Sequence, residues 1–180
     1  MNRTLRTLFA ATLVAAGTTS YSQQTRQEAV AASRAKPVDP KFMDATYKHP
    51  APAAQRIVNE GLAKHPNVIL FGLHATPPGH SRDVIIASNF GRIGKVADDD
   101  DMGVLTTGKS LIDVSKDGKH FENDMALHDK TGKIVGMVAI IFGYKEGADK
   151  SAMQKEAEQI LAEVESRVPT VDVLFSGQRM

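Results

Sequence analysis

HFENDMALHDKTGKIVGMVAIIFGY, residues His120–Tyr144, holds two strands and the turn that joins them. In its first half Phe121, Asn123, Met125 and Leu127 alternate with Glu122, Asp124, Ala126 and His128. A period of two puts each set on its own face of a strand. In its second half Lys133–Tyr144 is an apolar run in which Ile134, Gly136, Val138, Ile140, Phe142 and Tyr144 oppose Val135, Met137, Ala139, Ile141 and Gly143. The run is well short of the roughly 20 apolar residues that span a bilayer, and Gly136 favours a strand over a helix. Asp129-Lys130-Thr131-Gly132 between them is a polar, glycine-containing hairpin connection.

Working outward, Lys116-Asp117-Gly118-Lys119 is a second such connection and leads back to a strand at Leu111–Ser115. Two more strands are predicted at Val68–His74 and Asp83–Asn89, turned by Thr76-Pro77-Pro78-Gly79. A helix is predicted over Pro52–Lys64: proline suits the first turn, and Ile57, Val58 and Leu62 share a face. Four consecutive acids, Asp98–Asp101, suit the start of a short helix, with Asp98 or Asp99 as its cap. They lack the alternating ligand spacing of a calcium loop. Asp149 or Ser151 caps a last helix with the stripe Met153, Ala157, Ile160, Leu161 and Val164, ended by Pro169. Val171–Phe175 is a short apolar tail expected to pack on the domain. The order helix, two strands, short helix, three strands, helix predicts an α+β fold: a five-stranded antiparallel sheet with flanking N- and C-terminal helices.

The chain has 180 residues, enough for one domain with a leader, and 22 Lys+Arg stand against 21 Asp+Glu. Arg3 and Arg6 precede the apolar Thr7–Gly17, and Ser20-Tyr21-Ser22 is a small-x-small exit. That is the pattern of a cleaved signal peptide over residues 1–22. Removing it takes away two arginines and no acid, leaving 20 basic against 21 acidic residues and a net charge of −1. A periplasmic or secreted protein is expected, with no membrane insertion after cleavage. Residues 23–50 are polar and carry Pro37, Pro40 and Pro50; they read as a linker or arm with a short helix near Gln27–Arg34. Residues 51–180 then form the folded domain. Near-neutral charge without a polybasic arm argues against nucleic acid as partner. The absence of cysteine excludes disulfides, thiolate metal sites and a lipid anchor on cysteine.

Several motifs resemble one family. Val84-Ile85-Ile86-Ala87-Ser88-Asn89-Phe90 precedes Ile93-Gly94-Lys95, Thr107-Gly108-Lys109 follows, then Asp117-Gly118-Lys119-His120-Phe121, and finally Leu127–Gly136 with its Asp-x-x-Gly-Lys turn. Over residues 51–167 the pattern is similar to single Cache domains, the extracytoplasmic PAS-like sensor modules. The resemblance implies a PAS-like sheet that binds a small metabolite, often a carboxylate or amino acid, on one face. Family members usually sit between two membrane helices of a receptor. No apolar stretch after Val168 is long enough to cross a bilayer, so the expectation is a sensor-type domain in signal transduction that presents its ligand to a membrane-receptor partner.

His74, Ser88, Asn123 and Tyr144 are polar residues on otherwise apolar strand faces, and Phe90 and Phe142 offer aromatic walls. Such a mixture is what a pocket for a small polar ligand needs. By the resemblance, the loop Asn89–Lys95 lies over the family's pocket, which makes Arg92 and Lys95 candidates for a carboxylate. Each has an ordinary alternative: His74 as a satisfied core histidine, Tyr144 as an anchor of its strand, Arg92 and Lys95 as surface charges. The six histidines are scattered, with no metal-ligand spacing, and only His74 offers itself as a haem ligand. No nucleophile elbow, P-loop or dinucleotide motif is present, so neither catalysis nor a cofactor is expected. The alternatives are a protein-interaction subunit of a membrane receptor or enzyme, and a haem protein or enzyme.

Overall fold

The two halves of His120–Tyr144 pair as a hairpin, and the rest of the sheet is built outward from them. The computed structural model describes residues 21–177. In chain order these form α1 (Tyr21–Ala35), α2 (Pro52–Lys64), β1 (Val68–Ala75), β2 (Val84–Ser88), α3 (Asp99–Thr107), β3 (Leu111–Val114), β4 (His120–His128), β5 (Ile134–Gly143), α4 (Lys150–Glu165) and α5 (Asp172–Phe175), with one 3-10 turn at Pro40–Phe42. The strands form a single antiparallel sheet in the order β2-β1-β5-β4-β3. The architecture is the expected α+β one. The apolar run of β5 lies at the centre of the sheet, paired on both edges, and its residues 136–140 are all buried.

One face of the sheet carries the main core. Phe71 and Leu73 from β1, Ile86 from β2, Met125 and Leu127 from β4 and Val138, Ile140 and Phe142 from β5 pack against Ile57 and Val58 of α2 and Ile160 and Val164 of α4. Full burial of each such side chain is worth about 1.5–3 kcal/mol. Leu174 of α5 is fully buried in the same cluster, so the apolar tail does pack on the domain. The opposite face is covered only in part, by α1 along β1 and by α3, whose Val104 rests on Ala126 and Met137.

Pairing along β1, which lies between β2 and β5, is irregular in two places. Register shifts between Val68 and Leu70 and between Leu73 and His74 turn Val68 into the main core while Leu70 and His74 keep the other face. Across the second shift Leu73 pairs with Ala87 and His74 with Ile85, so Ile86 is the extra residue of a bulge.

Residues 21–35, most of them in the stretch read as an arm, form a docked helix. Arg26 fastens it: Nε donates to the Val68 carbonyl at 2.8 Å, and Nη2 to those of His65 at 3.0 Å and Pro66 at 3.2 Å. No apolar stripe announces this helix; besides Arg26, Arg34 Nη2 donates to the Asn89 carbonyl at 3.1 Å. Of the leader, residues 1–20 lie outside the described residues, and Tyr21 and Ser22 begin α1.

The C-terminal helix is tied to α2 through charge. Buried His65 has Nδ1 3.4 Å from Glu156 and Nε2 3.2 Å from Glu163, and Lys64 Nζ lies 2.6 Å from the second oxygen of Glu163. The Lys64 hydrogen bond, helped by Gln159 and His65, holds the Glu163 carboxyl down at about 2. A depressed carboxyl contributes stability above its unfolded value of 4.5 and loses it as pH falls toward about 2. Glu163→Gln is therefore expected to flatten the fall of Tm between pH 5 and pH 2. The group is partly exposed, so the difference amounts to about 1 kcal/mol at most. Parallel Tm curves for the two proteins would contradict this assignment.

Candidate functional site

The half-covered face of the sheet holds a cleft of about 610 Å³. Its floor is Leu70 and His74 of β1, Ala139 and Ile141 of β5, and Glu122 of β4. Ala29, Ala32 and Ser33 of α1 form one wall, and Phe90, Arg92 and Lys95 of the loop after β2 form another. Asp101 of α3, Lys116 and Asp117 of the turn before β4, and His120 at the start of β4 close the far side. A largely apolar floor carrying a few polar and charged groups is the composition of a small-ligand site.

The loop is held in place by its own side chains and by a strap, residues 40–47. The Asn89 side chain accepts from the Phe71 amide and donates to the Ile69 carbonyl, both at 2.9 Å, and so continues the edge of β1. Ser88 Oγ donates to the Gly91 carbonyl at 2.5 Å. Gly91, Arg92 and Gly94 then have φ of 81°, 64° and 86°; Arg92 is the one non-glycine with positive φ among the described residues. A side chain in that region costs about 1–2 kcal/mol. The strap crosses at Gly94 and Lys95: the Asp44 amide donates to the Gly94 carbonyl at 2.7 Å, and Met43 bridges Lys95. Asp44 is itself locked, accepting from Thr46 N, Thr46 Oγ1 and His80 Nδ1, and these hydrogen bonds hold its carboxyl far below the usual range.

Of the eight residues singled out from sequence, His74, Phe90, Arg92 and Lys95 come together at the cleft. Ser88 sits beside it, its hydroxyl engaged with Gly91. Asn123, Phe142 and Tyr144 are elsewhere. They belong to the other face, where Phe142 is core, Tyr144 packs against that core, and Asn123 is wholly buried with its amide donating to the Ile140 carbonyl at 3.3 Å. Polar residues on apolar faces are found on both sides of a sheet, and sequence alternation alone does not pair β1's faces with those of β4 and β5.

Part of the charge around the cleft comes from residues that sequence reading did not single out for the site: Asp83, Asp101, Glu122 and Asp124. Buried His74 has Nδ1 3.2 Å from Asp83 Oδ1. Burial pushes the Asp83 carboxyl up, opposed by the His74 hydrogen bond. Lys95 Nζ lies 2.8 Å from Asp98 and 3.4 Å from Asp101. Burial alone would lower this ammonium, but the two carboxylates outweigh burial and raise it. Glu122 is raised by burial, and Asp124, beside it on the same face of β4, is raised to about 7 by burial and by the charges of Asp101 and Glu122. His74 and Asp83 are nine residues apart across a hairpin, so no local spacing marks the pair. Arg92 donates from Nη2 to the Ser33 carbonyl at 3.2 Å, while its Nε is buried with no partner in the protein. Among the described residues no group of three or more His, Asp or Glu is placed to hold a metal ion, and no helix is long and apolar enough to cross a membrane.

No family model matches the chain, and no curated protein matches it. Solved structures similar to it include the GAF domain from Acinetobacter phosphoenolpyruvate-protein phosphotransferase, at 10% identity over 87% of this chain and 94% of that one, with a TM-score of 0.49. A GAF domain of A. aeolicus in an inactive state is 14% identical over 86% and 96%, TM-score 0.45. A light-oxygen-voltage domain is 15% identical over 56% and 93%, TM-score 0.35.

Proposed function

We propose that the chain is an exported, sensor-type domain of the Cache kind that binds a small carboxylate-bearing metabolite, an organic acid or an amino acid, in the cleft between α1 and the sheet. On this reading residues 1–22 are a cleaved leader, no catalysis occurs, and a membrane receptor receives the ligand-bound form. The observation that carries the reading is Arg92: a guanidinium at the rim of an apolar-floored cleft, held by a strained backbone, with a buried Nε left over. A planar donor fork with unspent hydrogen bonds suits a carboxylate, and the carboxylates of Asp101 and Glu122 across the cleft suit an ammonium on the same ligand.

The test is a thermal-shift screen of the processed protein against organic acids and amino acids. A ligand at a hundred times its Kd stabilises by about 2.7 kcal/mol, on the order of 5–10 °C for a domain of this size. Arg92→Gly relieves the positive φ while removing the guanidinium. It is expected to melt within a few degrees of wild type and to bind the best ligand about 10- to 100-fold more weakly, the worth of a charge-assisted hydrogen bond. A screen in which no small molecule shifts the melt would overturn the reading and favour a protein-interaction role.

A further inference from the structure

A groove of about 480 Å³ lies where β5 enters the sheet, and none of its lining residues is shared with the cleft. Its walls are apolar: Val96 and Ala97 of the loop before α3, Ile134 and Val135 at the start of β5, and Met102 and Leu105 of α3. The fold sets these walls without a ligand. Val96 bridges Val84, and the Ala97 amide donates to the Asp83 carbonyl at 3.0 Å. Leu105 and Ile134 pack on the buried cluster of Val104, Ala126 and Met137. Met102 is 42% exposed, one of the three large apolar side chains left open among the described residues.

Charge at the groove has one sign. Arg82, just before β2, and Lys133, just before β5, both line it and are exposed. Among the described residues neither side chain forms an ion pair. The nearby acids are engaged elsewhere. Asp83, the one carboxylate in the lining, has Oδ1 3.2 Å from His74 Nδ1. Asp129, whose carboxyl feels the charge of Lys133, accepts through Oδ1 from the Thr131 amide, the Thr131 hydroxyl and the Lys133 amide. Two unpaired cations beside an apolar trough suit a molecule with one acidic end and a hydrocarbon tail.

We propose that this groove is a second ligand site, which takes a free fatty acid of medium chain length. The tail lies between α3 and β5, and the carboxylate sits at Arg82 and Lys133. Size favours a small molecule over a protein. The volume falls within the roughly 300–1,000 Å³ of ligand pockets. A stable protein partner would cover about 800 Å² of this surface and would need apolar anchors around the groove. Of the exposed large apolar side chains only Met102 belongs to it, Phe42 and Leu111 being absent from its lining. The site goes beyond the cleft and does not depend on what the cleft binds.

Met102 makes the test direct, through its methyl-labelled signal followed by NMR as octanoate is added below its micelle concentration. The signal is expected to shift and to saturate. Butanoate should bind at least about 10-fold more weakly, because each buried methylene tightens binding up to about fourfold. Octylammonium, with the same tail and the opposite charge, should also bind at least about 10-fold more weakly. Arg82→Gln combined with Lys133→Gln alters two exposed side chains, so Tm should stay within about 2 °C of wild type. That double variant should lose the preference for octanoate over octylammonium. An unmoved Met102 signal would overturn the proposal. So would equal affinity for octanoate and octylammonium in wild type, or a preference that survives in the double variant. Failure of the cleft to bind any acid would leave each of these expected results unchanged.

Discussion

Gly94→Ala is expected to destabilise the protein by about 2–5 kcal/mol and to loosen the cleft. Two costs add. Gly94 has φ of 86°, where a Cβ costs about 1–2 kcal/mol. The new methyl would also point into the Tyr47 carbonyl oxygen, with that of Asp44 at 3.2 Å, and neither can rotate away as a flexible side chain would. Forced overpacking costs a further 1–3 kcal/mol or so. The strap must then rise from the loop, breaking the Asp44–Gly94 hydrogen bond and the Met43–Lys95 bridge. Gly132→Ala separates the two costs: φ there is 81° and nothing lies within 4 Å of the new atom, so only the backbone cost of about 1–2 kcal/mol is expected. Urea melts of both variants check this. Equal losses would mean that strap contact contributes nothing.

Gly136→Ala is expected to cost about 3 kcal/mol or more, by a different route. Its φ is ordinary, so the backbone tolerates alanine, but the Cβ would fall within contact distance of the His74 carbonyl oxygen and 3.4 Å from Ala75 Cβ. β1 and β5 pair to the end, His74 opposite Met137, so relief requires the two central strands to part. That movement would carry His74 away from Asp83 and open the cleft floor. Gly143→Ala, in the same strand, meets only Thr25 Cγ2 at 3.5 Å and should be close to neutral. The expected urea melt for Gly136→Ala has a lower midpoint and an unchanged slope, the mark of lost stability without a change in the surface exposed. A midpoint equal to that of Gly143→Ala would show that the strands separate freely at this point.

Gly136 also shows what was legible in the sequence. The period-two pattern of Phe121–His128 and the apolar run after Gly132 specified a hairpin because local alternation is a local property. The same holds for α2, started by Pro52, and for α3, capped by Asp98 with Asp101 in reciprocal bonds. The docking of α1 was hidden, because Arg26 reaching three carbonyls leaves no periodic signature. The cleft was half legible. His74, Phe90, Arg92 and Lys95 converge there, whereas Asn123, Phe142 and Tyr144 face the other layer. Which faces of distant strands coincide depends on bulges and register, and the bulge at Ile86 is set by its partner strand. Asp83 and Asp124 have carboxyls raised by burial and by the charge of Asp101, which no single stretch of chain encodes.

These features converge on one physical picture. Strap, loop and α3 meet at Lys95, which bridges Met43 through its backbone and Asp98 and Asp101 through its ammonium. On the proposed reading, a carboxylate entering beside Arg92 would meet this junction.

The most direct measurement is a crystal structure of the processed protein, purified without refolding and soaked with the acid that shifts its melt most. The expected result is electron density between α1 and the β1–β5 floor, with the carboxylate bonded to Arg92. Density confined to another part of the molecule, such as the 480 Å³ groove beside Met102 and Lys133, would contradict the assignment of the site.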